Sequence, residues 1–469
     1  MEVFSKLSRL ASASRHLWSA AIIALLTLTS AVSNAAPKPK YFVDEAKLPF
    51  DALPGATAYF GVHARAGYRI EVPDDWNGKL VVWAHGFRGD GPELTVDNHP
   101  LRTALIPAGY AWAASSYDRN DYDIASGVKS THALIKYFNG LVGKPEQVLM
   151  TGASMGGHIT GVLIEQYPQL FDGALPICGV MADYDLFDFF LDFNLAAQEL
   201  AQVGSSIYPV DEDTYLASTV PIIKSALGSP FAPWPFVAFN PDGENLKNLT
   251  ELRSGGDRPN FDNAWLFWNF TDFLFDLAIG DGSLPRAPGS ALDNTDTVYR
   301  FGTGADLSTA EMDLNKNIFR IAAEPQTRRK QGLAQVPTIQ GDISMPVLTL
   351  HNLGDLFVPV LNQVEYAKRV EANGSSDLLV QRAIRGVGHC EFTGKELATA
   401  FFELAAWVDF GDAAKPLGDN FSDPEVVAGP EFGCEYTDFA NNNEFGSGLP
   451  PVSIDGGHVW ADTSGCSAP

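Results

Sequence analysis

The segment QVLMTGASMGGHITGVLIEQY, from Gln147 to Tyr167, decides the fold prediction. Its first residues, Gln147 to Thr151, form a short apolar run that is typical of a buried strand, and the residues from Met155 onward follow a helical pattern. Between the two lies a Gly-x-Ser-x-Gly pattern centred on Ser154. Flanking glycines allow the backbone to bend sharply without a side-chain clash. The context therefore predicts a serine hydroxyl that projects from a strand-to-helix turn.

Similar apolar runs on either side of this segment predict further strands. They are Tyr59–His63, Tyr68–Val72, Leu80–Ala84, Tyr110–Ser115, Ala174–Gly179, Pro346–His351 and Leu378–Ile384. Helical patterns lie between them, at His132–Leu141, Met155–Tyr167, Leu361–Ala372 and Lys395–Phe410. Alternation of strands and helices predicts a mostly parallel sheet that helices cover on both faces.

Two residues near the carboxyl end of the predicted sheet complement Ser154. A serine hydroxyl is a weak nucleophile unless a base accepts its proton and an acid orients that base. Asp355 follows the strand Pro346–His351 in a glycine-containing loop, and His389 follows the next strand. The chain order Ser154, Asp355, His389 is the one that accompanies a strand–serine–helix turn. Asp342 is an alternative acid, but it precedes the strand and is poorly placed.

An acyl-transfer site also needs two backbone N–H donors for the negative charge that develops on the substrate oxygen. The residue after the nucleophile, Met155, is expected to supply one donor. The second donor is expected from the loop after the strand Leu80–Ala84, which begins His85-Gly86-Phe87. We predict that it is the N–H of Phe87.

Residues 182–342 interrupt the alternation of strands and helices and predict a helical cap. The capping box that begins at Ser308 indicates that at least part of this insert is helical. Aromatic clusters such as Trp234-Pro235-Phe236 and Trp265-Leu266-Phe267-Trp268 form either the core of the cap or the lining of an apolar substrate pocket. We expect the acidic series Asp183, Asp185, Asp188 and Asp192 to form a solvated helix face.

Residues 1–35 have a basic start, a short apolar middle and a small-x-small site, which predicts a secretory signal. An uncleaved anchor is the alternative, although the apolar stretch is short for a membrane span. The protein is therefore expected to be secreted or periplasmic, without stable membrane insertion once the signal is cleaved. The formal net charge of −25 disfavours nucleic acid and anionic lipid as partners. Residues 411–469 show little periodicity and predict a tail that lies along the surface.

Four cysteines are compatible with disulfides in an exported protein. Four cysteines allow three pairings, and their positions favour Cys434 with Cys466 as a staple in the tail. Cys178 and Cys390 then form either a second bridge or two buried thiols beside the predicted site. The sequence contains no Cys-x-x-Cys or His-Glu-x-x-His pattern, so we expect no metal. The three site residues are self-sufficient, so no cofactor is expected.

As a set, the His-Gly-x, Gly-x-Ser-x-Gly, Asp-loop and Gly-His motifs resemble those of the α/β-hydrolases. The resemblance covers roughly residues 55–181 and 343–410, within a predicted core of residues 36–181 and 343–410. It implies a catalytic triad of Ser154, Asp355 and His389, with Phe87 and Met155 as oxyanion donors. The His389-Cys390 pair is also similar to that of tannases and feruloyl esterases, where a disulfide joins the residues before the serine and after the histidine. Here Ala153 precedes the serine, and Cys178 is a different candidate partner for Cys390.

The resemblance implies hydrolysis of a carboxylic ester, from a small molecule or a polymer, through an acyl-enzyme. The aromatic insert favours an apolar or aromatic group in the substrate. One alternative is an exported prolyl-type serine peptidase, although the sequence has no long N-terminal region to form a propeller. Another is a non-catalytic binding module of the same fold. Such modules usually lose a residue of the triad, whereas this chain retains all three.

Overall fold

The computed structural model describes residues 41–203, 211–228, 240–278, 280–285, 289–328, 332–333, 336–443 and 458–466. The predicted signal segment, residues 1–35, lies outside the described residues, as does the aromatic cluster Trp234-Pro235-Phe236.

An eight-stranded sheet forms the centre of the molecule. Its strands are β1 (Ala56–His63), β2 (Ala66–Pro73), β3 (Lys79–Ala84), β4 (Ala111–Ser115), β5 (Gln147–Ala153), β6 (Gly173–Ile177), β7 (Val347–Asn352) and β8 (Leu379–Ile384). Across the sheet the order is β1-β2-β4-β3-β5-β6-β7-β8. Strand β2 is antiparallel to both neighbours, and the other neighbouring pairs are parallel. The predicted mostly parallel sheet is therefore confirmed.

Helices cover both faces of this sheet. Along β3, Leu80 and Val82 pack into one apolar cluster, whereas Val81 and Trp83 pack into a second cluster on the other face. Strands buried on both faces are apolar throughout, which explains the continuous apolar runs in the sequence. Outside the long insert between β6 and β7, the helices that contribute to the first cluster are Ile124–Leu141, Met155–Gln166 and Leu361–Ala372. Those that contribute to the second are Arg102–Leu105 and Gly394–Phe410.

The helix Ile124–Leu141 begins well before the predicted start at His132, so that boundary was wrong. Asp123 caps the helix, because its side chain accepts a hydrogen bond from the N–H of Ser126. Gly127 in the first turn weakens the helical pattern of the sequence. A Cβ at this glycine would lie 2.2 Å from Cδ1 of Ile159, so glycine allows the two helices to pack closely.

Between β6 and β7 the chain forms an insert of several helices. In the described residues these are Tyr184–Leu200, Glu212–Thr214, a π-helical turn at Tyr215–Thr219, Val220–Leu227, Pro241–Arg253, Phe261–Phe270, Phe273–Asp276 and Thr309–Asn317. The predicted capping box is present, since Ser308 and Glu311 exchange side-chain and backbone hydrogen bonds.

The acidic residues at the start of the insert do not form a solvated face, and that expectation was wrong. Asp188 and Asp192 are buried. Asp188 pairs with Arg328, and Asp192 pairs with Arg253. A buried carboxylate requires a charged and hydrogen-bonded partner to offset its desolvation. The arginines lie far away in sequence, so the spacing of the aspartates alone did not reveal the pairs.

The tail is attached to the far edge of the sheet. It contains the short helix Pro424–Val427, and two of its segments pair as strands at Asn442–Asn443 and His458–Val459. The guanidinium of Arg385, which directly follows β8, is buried and donates to the carbonyls of Phe432 and Ser464. A disulfide joins Cys434 to Cys466. A second two-stranded pairing, Phe42–Val43 with Glu93–Leu94, lies outside the main sheet.

None of the helices in the described part of the chain combines the length and the apolar character that crossing a membrane requires.

Candidate active site

Ser154 lies at the turn between β5 and the helix Met155–Gln166, as its sequence context predicts. Its backbone has φ 59° and ψ −122°, a conformation that non-glycine residues rarely adopt. The turn is possible because its neighbours lack side chains. A Cβ on Gly156 would lie 2.0 Å from the carbonyl oxygen of Ala84, and a Cβ on Gly152 would lie 2.3 Å from that of Gly156. The helix therefore starts directly against the sheet, with the Ser154 hydroxyl at its N-terminal end.

The structure brings the three predicted residues together. The Oγ atom of Ser154 lies 2.8 Å from Nε2 of His389, and Nδ1 of His389 lies 2.6 Å from Oδ2 of Asp355. Each residue follows the carboxyl end of a parallel strand: β5 for the serine, β7 for the aspartate and β8 for the histidine. Both contacts are within hydrogen-bond distance. The imidazole can therefore accept the serine proton at one nitrogen while it donates to the carboxylate from the other.

Asp355 is fully buried, and hydrogen bonds to both of its carboxylate oxygens fix it beside His389. Its second oxygen, Oδ1, accepts hydrogen bonds from the N–H groups of Phe357 and Val358, both at 2.9 Å. Arg258 of the insert is also buried, within electrostatic range of this carboxylate. Burial lowers the pKa of Arg258 to about 10, so its guanidinium still carries its charge at pH 7. These groups stabilise the negative charge that a protonated imidazole needs beside it.

The loop that contains Phe87 lies beside the serine. A Cβ on Gly86 would lie 3.1 Å from Cβ of Ser154, so the loop approaches the serine closely. His85 shapes the loop: its Nδ1 lies 2.7 Å from the carbonyl oxygen of Gly86, and its ring stacks on Tyr117 with centroids 3.9 Å apart. Burial holds the pKa of His85 well below its usual value, so the ring is neutral. The Tyr117 hydroxyl donates to the His85 carbonyl at 3.0 Å.

Met155 is the first residue of the helix that follows the serine. An N–H group in the first turn of a helix has no acceptor within the helix, and it lies at the positive end of the helix dipole. The N–H of Met155 is therefore suited to an anionic oxygen next to Ser154.

A disulfide joins Cys178, directly after β6, to Cys390, the residue after His389. Of the two alternatives left open for these cysteines, the bridge is the one present. The Cys390 Sγ lies 3.4 Å from Nε2 of His389. Both cysteines have positive φ values, 44° for Cys178 and 57° for Cys390. The bridge thus fixes the histidine loop to the strand next to the one that carries Ser154.

An aromatic side chain contacts the imidazole, and rings of the insert pack against it in turn. The ring of Phe357 meets that of His389 edge-on, with centroids 4.9 Å apart. Phe273 and Phe190 of the insert pack against Phe357, with centroid distances of 5.2 Å and 6.4 Å. Phe357 is only partly buried. Aromatic rings of the insert therefore pack against the ring that contacts His389.

The strand order, with its single antiparallel strand, and the placement of the three residues after β5, β7 and β8 together decide the fold family. The chain has the α/β-hydrolase fold. Its site has the serine, histidine and aspartate arrangement of a serine hydrolase.

Comparison with known proteins gives distant similarities. No protein-family model matches the chain. Among curated proteins it is similar to an o-phthalyl amidase of Xanthobacter agilis, with 22% identity over 412 residues, 74% of this chain and 86% of the relative. Among solved structures it is similar to an esterase from Aspergillus oryzae, with 14% identity and a TM-score of 0.45 over 78% of this chain and 81% of that one. It is also similar to feruloyl esterase B from Aspergillus oryzae, with 15% identity and a TM-score of 0.42 over 82% of this chain and 89% of that one.

Several residues that support the hydrolase site had no signal in the sequence. Tyr117, Arg258 and Trp268 each donate to a backbone carbonyl of a loop that carries a predicted site residue or a predicted oxyanion donor. A bond to a carbonyl places no requirement on the residue type of its acceptor, so no motif records it. Arg258 and Trp268 also come from the insert, whose path over the sheet the sequence did not predict.

Proposed function

We propose that the protein is an exported serine hydrolase that cleaves carboxylic esters through an acyl-enzyme. The observation that carries this proposal is the continuous contact from Ser154 Oγ to His389 Nε2, at 2.8 Å, and from His389 Nδ1 to Asp355 Oδ2, at 2.6 Å. A serine with a neighbouring base and an orienting acid is the requirement for nucleophilic attack by a hydroxyl group.

In the proposed reaction, His389 accepts the proton of Ser154 while the serine oxygen bonds to the carbonyl carbon of the ester. The N–H groups of Phe87 and Met155 donate to the oxygen that becomes negative. His389 then gives its proton to the alcohol oxygen, which leaves when its bond to the acyl carbon breaks. Water, deprotonated by the same histidine, attacks the acyl-enzyme and releases the carboxylic acid and the free serine. The cycle needs no cofactor.

The aromatic side chains next to His389 support an apolar or aromatic group in the substrate. Phe357 meets the His389 ring edge-on and Phe273 packs against Phe357, so an aryl or alkyl group that contacts these rings gains from leaving water. The substrate is either a small ester or an ester group on a polymer. The acidic chain, with a net charge of −25, argues against a nucleic acid as partner.

An amidase that acts on an aromatic acyl group is the second candidate. It is favoured by the similarity to the o-phthalyl amidase of Xanthobacter agilis, which extends over 74% of this chain. The triad and the oxyanion donors would be the same. The two reactions differ in the leaving group, because an amine must receive the proton of His389 before the C–N bond breaks. The two candidates therefore need a direct comparison of matched substrates.

The proposed experiment measures p-nitrophenol release from a chain-length series of acyl esters and from a benzoyl ester. The same acyl groups are offered as p-nitroanilides, together with short peptide anilides and a phthalyl amide. Ester turnover that is lost in Ser154→Ala supports the esterase. The acyl group with the highest kcat/KM then indicates the size of the acyl pocket. Dominant turnover of the aromatic amides would assign an amidase, and dominant peptide turnover a prolyl-type peptidase.

A fluorophosphonate probe completes the test, because it labels an activated serine without a matching substrate. If wild-type protein turned over none of these substrates and the probe failed to label Ser154, the proposal would be wrong. A non-catalytic binding module would then be the better assignment. The Ser154→Ala protein serves as the control for labelling at other serines.

Export is part of the same proposal. The bridges Cys178–Cys390 and Cys434–Cys466 support folding in an oxidising compartment. They agree with the predicted signal in residues 1–35 and with a secreted or periplasmic location. Mass spectrometry of the mature N-terminus tests this, and a chain that still began at Met1 after export would contradict cleavage near residue 35.

A further inference from the structure

Trp268 connects the insert to both loops that carry the base and the acid. It lies on the helix Phe261–Phe270 and is 2% exposed. Its indole N–H points between two backbone carbonyls, with Nε1 2.8 Å from the oxygen of Gly354 and 2.9 Å from that of Val387. Gly354 directly precedes Asp355, and Val387 is two residues before His389. One donor is thus shared between the acid loop and the histidine loop.

We propose that Trp268 is a positioning residue: its N–H holds the two loops together and so sets the contact between Asp355 and His389. The inference rests on the proposed function, because it assigns Trp268 a role in the same reaction. Trp268 acts through the two loops and needs no contact with the substrate. The insert is then a structural part of the catalytic site.

The two loops are in direct contact at the point where Trp268 joins them. The N–H of Gly354 donates to the carbonyl of Gly386 at 3.0 Å, and a Cβ on Gly354 would lie 2.6 Å from Cα of Val387. Two carbonyl oxygens that approach each other in a buried space repel unless a donor lies between them. The indole N–H supplies that donor.

Other residues of the same segment of the insert strengthen the connection. Arg258 donates from Nε to the carbonyl of Leu353 at 2.8 Å, and Asn260 donates from Nδ2 to the carbonyl of Arg385. Phe273 holds the indole of Trp268 from the side, with ring centroids 4.8 Å apart. The indole is therefore fixed in place, and its N–H has little freedom to point elsewhere.

Loss of the N–H leaves two buried carbonyls without this donor and allows the loops to separate. A displacement of about 1 Å in a catalytic group lowers the rate about 100-fold, because the reacting atoms no longer meet in the productive geometry. Substrate binding depends on the pocket rather than on this bond. The expected effect is therefore a fall in kcat of about 10- to 100-fold, with KM changed by less than about threefold.

The test uses two replacements of Trp268 in the full-length protein. Site-specific incorporation of 3-benzothienylalanine keeps the size and shape of the ring and replaces the N–H by sulfur. Trp268→Phe removes the N–H together with part of the ring. Trp407→Phe is the matched control, because Trp407 is a buried indole on the opposite face of the sheet. The isosteric variant keeps the inference falsifiable if Trp268→Phe fails to fold.

Two readouts are measured for each protein: kcat and KM on the best wild-type substrate, and the far-downfield proton resonance of the His389–Asp355 hydrogen bond. We expect both Trp268 variants to lose kcat and to shift or broaden that resonance, while Trp407→Phe leaves both close to wild type. The resonance reports the contact without any turnover. It therefore tests Trp268 even if the proposed function fails through absence of activity and of labelling at Ser154.

Two results would overturn the inference. One is an isosteric variant with wild-type kcat and an unchanged resonance. The other is a loss of kcat in the Trp268 variants that Trp407→Phe reproduces, with the resonance unchanged in all of them, since that pattern reflects general destabilisation.

Discussion

Asp355 Oδ2 lies 2.6 Å from His389 Nδ1, although the two residues are 34 positions apart and belong to loops after different strands. The other carboxylate oxygen accepts the N–H groups of Phe357 and Val358. The two oxygens therefore have different roles: Oδ1 stabilises the loop, and Oδ2 accepts the hydrogen bond of the imidazole N–H.

Asp355→Asn tests this division. The amide oxygen can still accept from Phe357 and Val358, so the loop keeps its shape and the NH₂ group is left to face His389. An NH₂ group donates to Nδ1, so the proton of the neutral imidazole moves to Nε2. With that proton in place, Nε2 can no longer accept the proton of Ser154. We expect kcat to fall by about 10⁴-fold while stability changes little.

The measurement is a steady-state assay beside chemical denaturation of the same protein. Asp377→Asn serves as control, because it neutralises an exposed carboxylate that precedes β8, whereas His389 follows that strand. A variant that kept more than about a tenth of the wild-type kcat would argue that another acid orients His389.

The sequence predicted the sheet and the three site residues because both leave local patterns. The apolar runs of β3 and β5 and the Gly-x-Ser-x-Gly turn depend only on neighbouring residues. The start of the helix at Ile124 was missed because Gly127 is a poor helix former, and the contact with Ile159 that requires it lies outside the local window. The buried pair of Asp192 with Arg253 was missed for the same reason, since the partner is set by tertiary structure.

The Cys178–Cys390 bridge is expected to support activity more than the bridge in the tail does. It closes a separation of 212 residues and ends beside His389, whereas Cys434 and Cys466 are separated by 32 residues in the tail. Replacement of Cys178 and Cys390 by alanine should lower the free energy of unfolding by about 2–5 kcal/mol. It should also lower kcat more than tenfold (about 1.4 kcal/mol in barrier), because the histidine loop loses a covalent tie.

The matched protein replaces Cys434 and Cys466 by alanine. We expect it to lose stability, with a smaller fall in kcat. Equal kcat in the two double variants, measured well below their unfolding temperatures, would contradict a special role for the Cys390 end.

Buried neutral histidines should make the fold sensitive to acid. Burial lowers the pKa of His99 to about 3. Burial is also the main cause that lowers the pKa of His351 to about 4. Both rings use their nitrogens in the neutral form: His99 bonds Thr151 and the N–H of Leu101, and His351 bonds the Val358 carbonyl. In the unfolded chain a histidine has a pKa of about 6.5. Below that pH the unfolded chain binds protons that these buried histidines do not bind in the folded protein, so the free energy of unfolding falls as pH falls.

The expected loss is about 2 kcal/mol for each of these histidines between pH 7 and pH 5. Burial raises the pKa of Glu165 to about 7, which acts in the opposite direction, so the total pH dependence does not isolate a histidine. We therefore compare wild type with His99→Gln by urea unfolding at both pH values. The stability difference between them should shrink by about 2 kcal/mol at pH 5. An unchanged difference would mean that His99 titrates equally in both states.

Gly156 tests how closely the helix after Ser154 must approach the sheet. A Cβ at this position would lie 2.0 Å from the oxygen and 2.6 Å from the carbon of the Ala84 carbonyl, and backbone atoms of a central strand cannot move aside cheaply. Gly156→Ala should therefore lower the free energy of unfolding by about 2–4 kcal/mol and displace Ser154, with a large loss of kcat.

Gly140→Ala is the matched control: Gly140 lies exposed near the end of the helix Ile124–Leu141, and a Cβ there would have no atoms within 4 Å. There alanine should stabilise the protein by about 0.5–1 kcal/mol, because it is the better helix former. Denaturant unfolding of the two variants measures whether the free energy of unfolding falls in Gly156→Ala and rises in Gly140→Ala. A Gly156→Ala protein within about 0.5 kcal/mol of wild type would show that the helix can shift away from β3 at little cost.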